Sequence, residues 1–542
     1  MNEKLRFVFV VGGVLSGIGK GVVTASISKL LQSYGYKVTA IKIDPYVNID
    51  AGTMRPTEHG EVFVTDDGGE IDQDLGTYER FLDITIPKKN NITTGQIYLE
   101  VIKRERALGY GGRDVQIIPD VMNEVKRRIL EASRGYEIAV VEVGGTTGDI
   151  ENLVFLYAIR NLMNEYPSVS VMVTYAPFLR TVGELKTKPT QHAVAKLRET
   201  GIFPDFLVVR SEMGLDEIRK KKISKSTFIP EENIIDNPDV DSIYRIPILF
   251  EEQKVIENIL KKLNLKKRKY DMEAWRKFVE KIDKSEKEIN IAIVGKYVSY
   301  GKSEHKDVYV SVIEALKHAS YNNYLKPKIT QISSLELEKD GYEEILKDFD
   351  GIIVPGGFGD SGVEGKINAI RYARENDVPF LGLCYGMQLA VVEYARNVCG
   401  LRGAHTTEVD PNTPYPVIDI MPEQKKLIEE GKYGATMRLG AYPAILKKGT
   451  LVYNLYKKER VYERHRHRYE VNPDFVEILE NGGLVFSGTS PDGRLMEFLE
   501  LPNHRFFVAT QAHPEFKSRP LNPHPLFVGF INAIAHKKGF VQ

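Results

Sequence analysis

Short, almost unbroken apolar runs alternate with helical patterns along this chain, and that rhythm leaves few folds open to it. RFVFVVGG (6–13), KVTAIKID (37–44), YEIAVVEVGG (136–145), VSVMVTYAP (169–177) and DFLVVRSE (205–212) follow one another, with segments of helical period between them. Strands that lack a polar face are buried on both sides, and the intervening helices supply the cover, so a parallel α/β sheet is expected. After residue 289 the rhythm restarts with NIAIVGKY (290–297), DGIIVPGGFG (350–359) and VPFLGLCYGM (378–387). Between the two series lies NLKKRKYDMEAWRKFVEKIDKSEKEI (264–289), whose charge density reads as a partly helical linker. A chain of 542 residues exceeds what one core supports. The expected organisation is therefore two three-layer α/β domains, 1–265 and 290–542, joined by a linker at 266–289.

The first strand opens into GGVLSGIGKG, residues 12–21, and then a helical pattern over 21–34. Gly12, Gly13, Gly17, Gly19 and Gly21 let the backbone approach phosphate, the helix N-terminus offers free N–H groups, and Lys20 adds a point charge. The usual P-loop follows its lysine with Ser or Thr, a magnesium ligand; here that position is Gly21. Two carboxylates are placed to substitute. Glu142 ends an apolar strand on the side where open α/β sheets hold ligands. Asp74 lies in TDDGGEIDQDLGTYERF, which by itself reads as a solvated acidic turn. Lys42 also ends a strand, and Lys186 and Lys188 flank Thr187 in a turn stiffened by Pro189, a candidate for further phosphates. Each lysine taken singly reads as solvent-exposed.

In the second series, Gly382-Leu383-Cys384-Tyr385-Gly386 is a G-x-C-x-G after a strand, the cysteine form of a nucleophile elbow. A thiol at a helix start gains stabilisation of its thiolate. QAHPEF supplies His513 as general base and Glu515 to orient it, and VPGGFG supplies Gly356 and Gly357 N–H groups for an oxyanion. Cys399 reads as structural. ERHRHRYEV (463–471) is open to three readings: a solvated basic face, an RNA contact, or a site where Arg468 clamps a carboxylate.

Composition excludes several classes. Lys plus Arg and Asp plus Glu both number 74, so no overall field gathers nucleic acid or anionic membrane. Two cysteines cannot build a disulfide framework. No apolar run approaches the roughly 20 residues of a membrane helix. The basic start and short apolar stretch of KLRFVFVVGGVL lack a small-residue cleavage site and serve better as a strand. A cytoplasmic protein is expected.

The joint set GGV-x-S-x-x-GKG, KIDPY, HGEVFVTDDG, DLGTYERF, VEVGGTTGDIE, KTKPTQH, VPGGFG, CYGMQ, ERHRHRYEVN and HPEF resembles the CTP synthase family over nearly the whole chain and in order. The resemblance implies a P-loop NTPase-like synthetase domain and a class I glutamine amidotransferase domain. It implies that ATP phosphorylates the 4-oxygen of UTP and that ammonia, released from glutamine at the thiol and passed through an internal tunnel, displaces the phosphate. Carried onto this sequence, Ser16, Gly17, Ile18, Gly19, Lys20, Gly21, Asp74, Asp239 and Val240 would hold ATP, with Lys20 and Lys42 acting in the transfer and Asp74 and Glu142 holding magnesium. Ser16, Asp149, Ile150, Glu151, Lys186, Thr187, Lys188, Pro189, Thr190, Gln191 and Lys222 would line a site for UTP, shared in part with CTP as feedback inhibitor; Lys220 and Lys221 adjoin the last of these. Gly357, Tyr385, Gly386, Met387, Gln388, Glu408 and Arg468 would hold glutamine, and Cys384, His513 and Glu515 would form the triad. Tyr385 stands where the family commonly has leucine, with its backbone N–H still able to serve the oxyanion. GTP activation, a homotetramer and filaments belong to the same implication, and no nucleic acid or membrane partner does. The alternative is an ATP-dependent amidotransferase of the cobyrinic-acid type. Its carboxylate substrate would leave KTKPTQH and Lys222 no triphosphate to bind. A decayed nucleotide switch or filament scaffold would need no cysteine elbow.

Overall fold

A computed structural model describes residues 5–296, 299–300, 303–304, 308–422, 424–425 and 436–540. The chain divides into two compact units, one of residues 1–51 with 74–279 and one of 52–73 with 280–542.

The first unit is built on seven parallel strands in the order Ile234–Pro238, Phe206–Ser211, Ser168–Tyr175, Arg6–Gly12, Ile138–Val143, Val38–Asp44, Asn91–Thr93. Alternation within each strand sorts the cover. Phe7, Phe9 and Val11 join Ala139 and Val141 in a core with Val125, Ile129, Phe155, Ile159 and Leu197 from helices Met122–Ala132, Leu153–Glu165 and Lys188–Glu199. The opposite face is covered by helix Lys20–Ser33, which packs on helix Asp74–Leu82. The apolar strand runs therefore form the doubly covered sheet that their composition requires.

The charged stretch expected to link the domains contains helix Glu273–Asp283, and most of it belongs to the first unit. Met272, Trp275 and Phe278 recur at three-residue spacing and are buried. Trp275 packs against Phe81 and Tyr244 and donates its indole N–H to the Tyr244 carbonyl at 2.9 Å. Its lysines and glutamates occupy the outer face, so the stretch is partly helical as expected and charge density concealed only the buried face.

The second unit is built on a nine-stranded sheet. Leu325–Ser333, Lys287–Gly295, Gly351–Val354, Phe380–Leu383 and Phe507–Thr510 run parallel, and Met496–Glu500, Val485–Thr489, Arg438–Leu446 and Arg460–His467 continue the sheet antiparallel. Ile291 and Ile293 face helices Val310–Asn322 and Pro525–Lys537, while Ala292 and Val294 face Val363–Glu375 and Tyr385–Asn397. Two cores thus sandwich one sheet.

Residues 52–73, assigned by sequence to the first domain, cluster with this second unit. They carry a short hairpin, Val62–Val64 with Glu70–Asp72. Arg464 donates to the Asp66 carboxylate and to the Val64 carbonyl, and Arg466 reaches Glu70 at 2.7 Å and the Gly52 carbonyl at 3.2 Å. ERHRHRYEV is accordingly neither a solvated face nor an exposed RNA contact. Glu463, Arg464, His465 and His467 are all buried, on the strand that ends at His467. Burial holds both imidazoles well below the ordinary histidine range.

Candidate active sites

In the first unit, the loop after strand Arg6–Gly12 turns through Gly17 and Gly19, both at positive φ, before the helix starts at Lys20. A Cβ on Gly12 would crowd the Lys20 side chain, 2.7 Å from Cδ and 2.8 Å from Nζ, so the glycine leaves room for the lysine to lie where it does. Lys20 folds back and donates to the Gly145 carbonyl at 2.9 Å. Burial pushes its ammonium pKa down, against the pull of Glu142.

A Cβ on Gly21 would collide with the Asp74 carboxylate. Asp74 therefore occupies the space where the usual P-loop keeps the start of its Ser or Thr side chain. Asp74 is the first residue of a helix, not part of a solvated turn. Its carboxylate pairs with Lys42, whose Nζ also lies 3.2 Å from Glu142 Oε1 and 3.7 Å from Asp44 Oδ1. The Tyr78 hydroxyl donates to the other Glu142 oxygen. Burial raises the pKa of Glu142, and it raises that of Asp44 to about 6 despite Lys42 and a 2.7 Å hydrogen bond from Asn91.

Around this cluster the other expected residues fall on loops at the strand ends. Ser16 is exposed at the tip of the glycine loop, and Ile18 is buried within it. Asp149 accepts from the Thr146 N–H and hydroxyl at 2.8 and 2.7 Å, closing the turn that exposes Ile150 and Glu151. Lys186 pairs with Glu184, Lys188 begins a helix with Pro189 in its first turn, and Gln191 donates to Thr187 at 3.1 Å. Thr190 is buried and bonds the Tyr175 carbonyl at 3.3 Å. Lys222 is exposed on helix Glu217–Thr227, near enough to Glu184 to lower that carboxyl's pKa, after Lys186 and Arg219. Asp239, followed by half-buried Val240, accepts from Arg210 at 2.8 Å, and Arg210 also donates to the Gly17 carbonyl at 3.2 Å. Arg210 was not singled out by sequence; its position at the end of strand Phe206–Ser211 was the available signal.

In the second unit, Cys384 sits between strand Phe380–Leu383 and helix Tyr385–Asn397 at φ +51°, a strained conformation for a residue other than glycine. Both elbow glycines are obligatory. A Cβ on Gly382 would lie 2.8 Å from Ala509 Cβ, and one on Gly386 would strike the Val354 carbonyl. The thiol faces the Arg466 carbonyl and the Gln511 amide, each at 3.8 Å. His513 Nδ1 is 2.7 Å from Glu515 Oε1. Gly356 holds the gap open, since a Cβ there would lie 2.7 Å from the His513 ring and 3.6 Å from Cys384 Cβ. Burial disfavours charge on His513, but Glu515 and then Cys384 outweigh it and raise its pKa to about 10. The structure thus brings together the three residues expected as a triad.

Further glutamine-site candidates surround them. The Tyr385 hydroxyl donates to the Gly359 carbonyl at 3.0 Å, and Glu408 accepts from the Gly359 N–H at 2.8 Å. Burial pushes the Glu408 carboxyl up. Met387 is buried, and Gln388 donates to the Tyr469 carbonyl at 2.9 Å. Arg468 donates to Gln424 at 2.7 Å and Thr436 at 2.9 Å. A cavity lined by Cys384, His513, Gly357, Phe358, Glu61 and Val62 adjoins the thiol, so the 52–73 segment forms part of its wall. Cys399 lies apart, its thiol 3.6 Å from the Ile478 carbonyl.

Comparison with known proteins finds two family models side by side on this chain. Residues 6–265 match the family model for the CTP synthase N-terminus, and 304–533 match that for class-I glutamine amidotransferases. A CTP synthase of Pyrococcus abyssi is 56% identical over 537 residues, covering 98% of each chain. One of Methanocaldococcus jannaschii is 54% identical over 543 residues, covering 98% of this chain and 99% of its own. A solved glutaminase domain of Trypanosoma brucei CTPS, with bound acivicin, is 38% identical over 46% of this chain and 94% of its own, with a TM-score of 0.42. With identity above one half sustained along almost its entire length, the chain belongs to the CTP synthase family.

Proposed function

We propose that the two clusters divide the family reaction between them, the amination of UTP to CTP with ATP and glutamine. The observation with most weight is the Lys20–Lys42–Asp74–Glu142 group beside Gly21, in a chain that also carries the cysteine elbow. The carboxylate-amidating alternative is not favoured by the family assignment.

At the first cluster, the glycine loop would receive the ATP phosphates, and Lys20 and Lys42 would follow the charge that moves with the transferred phosphoryl group. Asp74 and Glu142 fit a magnesium ion: they are hard oxygen donors, and an ammonium group already lies between them. Among the described residues no group of three or more His, Cys, Asp or Glu side chains is arranged for a metal, so phosphate and water would complete the shell. When bound, magnesium neutralises and orients the terminal phosphates. The Lys186–Gln191 turn, Asp149–Glu151 and Lys222 would hold the pyrimidine nucleotide. Phosphorylating the 4-oxygen converts a poor leaving group into a good one, and ammonia then replaces it.

At the second cluster, Cys384 would attack the glutamine carboxamide. His513 would hold the proton for the departing ammonia, and Glu515 would orient the imidazole. Gly357 and Tyr385 N–H groups would receive the oxyanion, and Glu408 and Arg468 would hold the amino-acid end. Magnesium dependence, GTP activation, feedback by CTP, a homotetramer able to form filaments and a cytoplasmic setting are supported by family membership. Among the described residues, no helix is long and apolar enough to cross a membrane.

The test is CTP formation from UTP, ATP and magnesium by wild type and Cys384→Ala, with glutamine or ammonium as donor. Activity lost with glutamine and kept with ammonium is expected. Glutamine-dependent activity in the variant would remove Cys384 from its role.

A further inference from the structure

Lys366 is completely buried in the first turn of helix Val363–Glu375, and among the described residues its Nζ has no hydrogen-bond acceptor. Both placements are unfavourable: an ammonium with no hydrogen-bond acceptor among the described residues, only the face of the Tyr385 ring, in a low-dielectric interior, and a cation at the positive end of a helix. Apolar side chains of similar volume would fill the same space at less cost.

The surroundings show where that charge acts. Nζ lies 4.9 Å from the centre of the Tyr385 ring, and 3.4 Å from where a Gly357 side chain would begin. The titratable groups facing it are Lys296, at the end of strand Lys287–Gly295, then Glu408, Cys384 and Tyr385. Lys296 Nζ donates to the Phe358 carbonyl at 3.1 Å, and Glu408 holds the Gly359 N–H. Lys366 thus stands behind the glycine loop whose other side faces the thiol and His513.

We infer that Lys366 is a positioning residue for glutamine hydrolysis, a buried cation behind Gly357 and Tyr385 that favours negative charge at Cys384 and on the oxyanion formed there. The inference rests on the reading of Cys384 as the nucleophile. In the step concerned, the sulfur–carbon bond forms and the carbonyl π pair moves to oxygen. The C–N bond then breaks as the proton held by His513 passes to nitrogen. Negative charge shifts from sulfur to oxygen as the adduct forms, and the oxygen pair re-forms the carbonyl as nitrogen leaves, all within the field of one fixed cation that costs no reorganisation. The interior accepts the destabilising ammonium because the reaction uses it.

The experiment compares full-length wild type, Lys366→Met and Lys366→Gln. Glutaminase kcat/KM, ammonium-dependent CTP formation and Tm are measured against pH, with Cys384→Ala as control. Glutaminase kcat/KM is expected to fall about tenfold, short of the 10²–10³ of a donor in direct contact, with ammonium-dependent synthesis unchanged. Burial, then Lys296, lowers the Lys366 pKa to about 8. Wild-type kcat/KM should therefore show a basic limb near pH 8 that both variants lack. The folded pKa is depressed below the unfolded 10.5, so the charge destabilises fully below pH 8 and its cost fades as pH rises towards 10.5. Lys366→Met should accordingly raise Tm at neutral pH, with the gain gone at the alkaline end. Unchanged glutaminase, a persisting limb, or a joint loss of both activities with lower Tm would each overturn the inference. Glutaminase surviving in Cys384→Ala would instead overturn the reading of the thiol, a separate outcome.

Discussion

Gly21 lacks a side chain because Asp74 needs the space, and that makes it a sharper probe than the lysines around it. Gly21→Ala puts a methyl against the Asp74 carboxylate and must displace either the carboxylate or the start of the helix. CTP formation from ammonium and from glutamine should fall together, by about a hundredfold for a displacement near 1 Å, while glutaminase persists. A selective loss of the glutamine route would contradict this. At the thiol, the raised pKa of His513 gives a pH prediction with a definite sign. Its folded value near 10 lies above the ordinary 6.5, so the stability it adds is fully present below pH 6.5 and is lost as pH rises through 10. The His513 ring signals followed by NMR should accordingly titrate only as pH approaches 10. In Glu515→Gln the first of the supporting charges is gone, and the onset of imidazole deprotonation should move to lower pH. An unmoved profile would detach Glu515 from His513.

Elements differ in how plainly the sequence announces them. The parallel strands were legible because burial on both faces leaves nearly unbroken apolar runs, as in RFVFVVGG. The elbow was legible because two glycines must flank the cysteine. Two other elements carry equally buried side chains, and their buried faces were not legible. In helix Glu273–Asp283 the apolar residues sit at helical spacing among lysines and glutamates, and composition outweighed period. Trp275→Ala should cost about 3–5 kcal/mol, read as a lower Tm, with the ratio of glutamine-dependent to ammonium-dependent activity unchanged. In strand Arg460–His467 the charges themselves are buried, paired with Asp66 and Glu70, which lie 398 and 396 residues from Arg464 and Arg466. No local pattern signals a partner at that distance. The candidate nucleotide residues were legible as loops at strand ends, whereas Arg210 and Lys366 stood in no motif and became visible only through their neighbours.

For the molecule as a whole, the excursion of residues 52–73 decides which pieces of chain are self-sufficient. A fragment of 280–542 lacks the hairpin that caps Phe516 with Phe63 at 5.0 Å and supplies Arg464 with Asp66 and the Val64 carbonyl. That fragment should unfold at a lower temperature than the same fragment supplied with a peptide of residues 52–73. Equal Tm with and without the peptide would make the hairpin dispensable. The same excursion sets a schedule. A ribosome adding about 5–20 residues per second makes Glu70 roughly 20–80 s before Arg466 emerges. For that interval the hairpin is a guest without its host, although the strands on either side of it in sequence can already pair. The enzyme's earliest-made half must therefore wait, with one loop still without its partners, until strand Arg460–His467 of the later half is delivered.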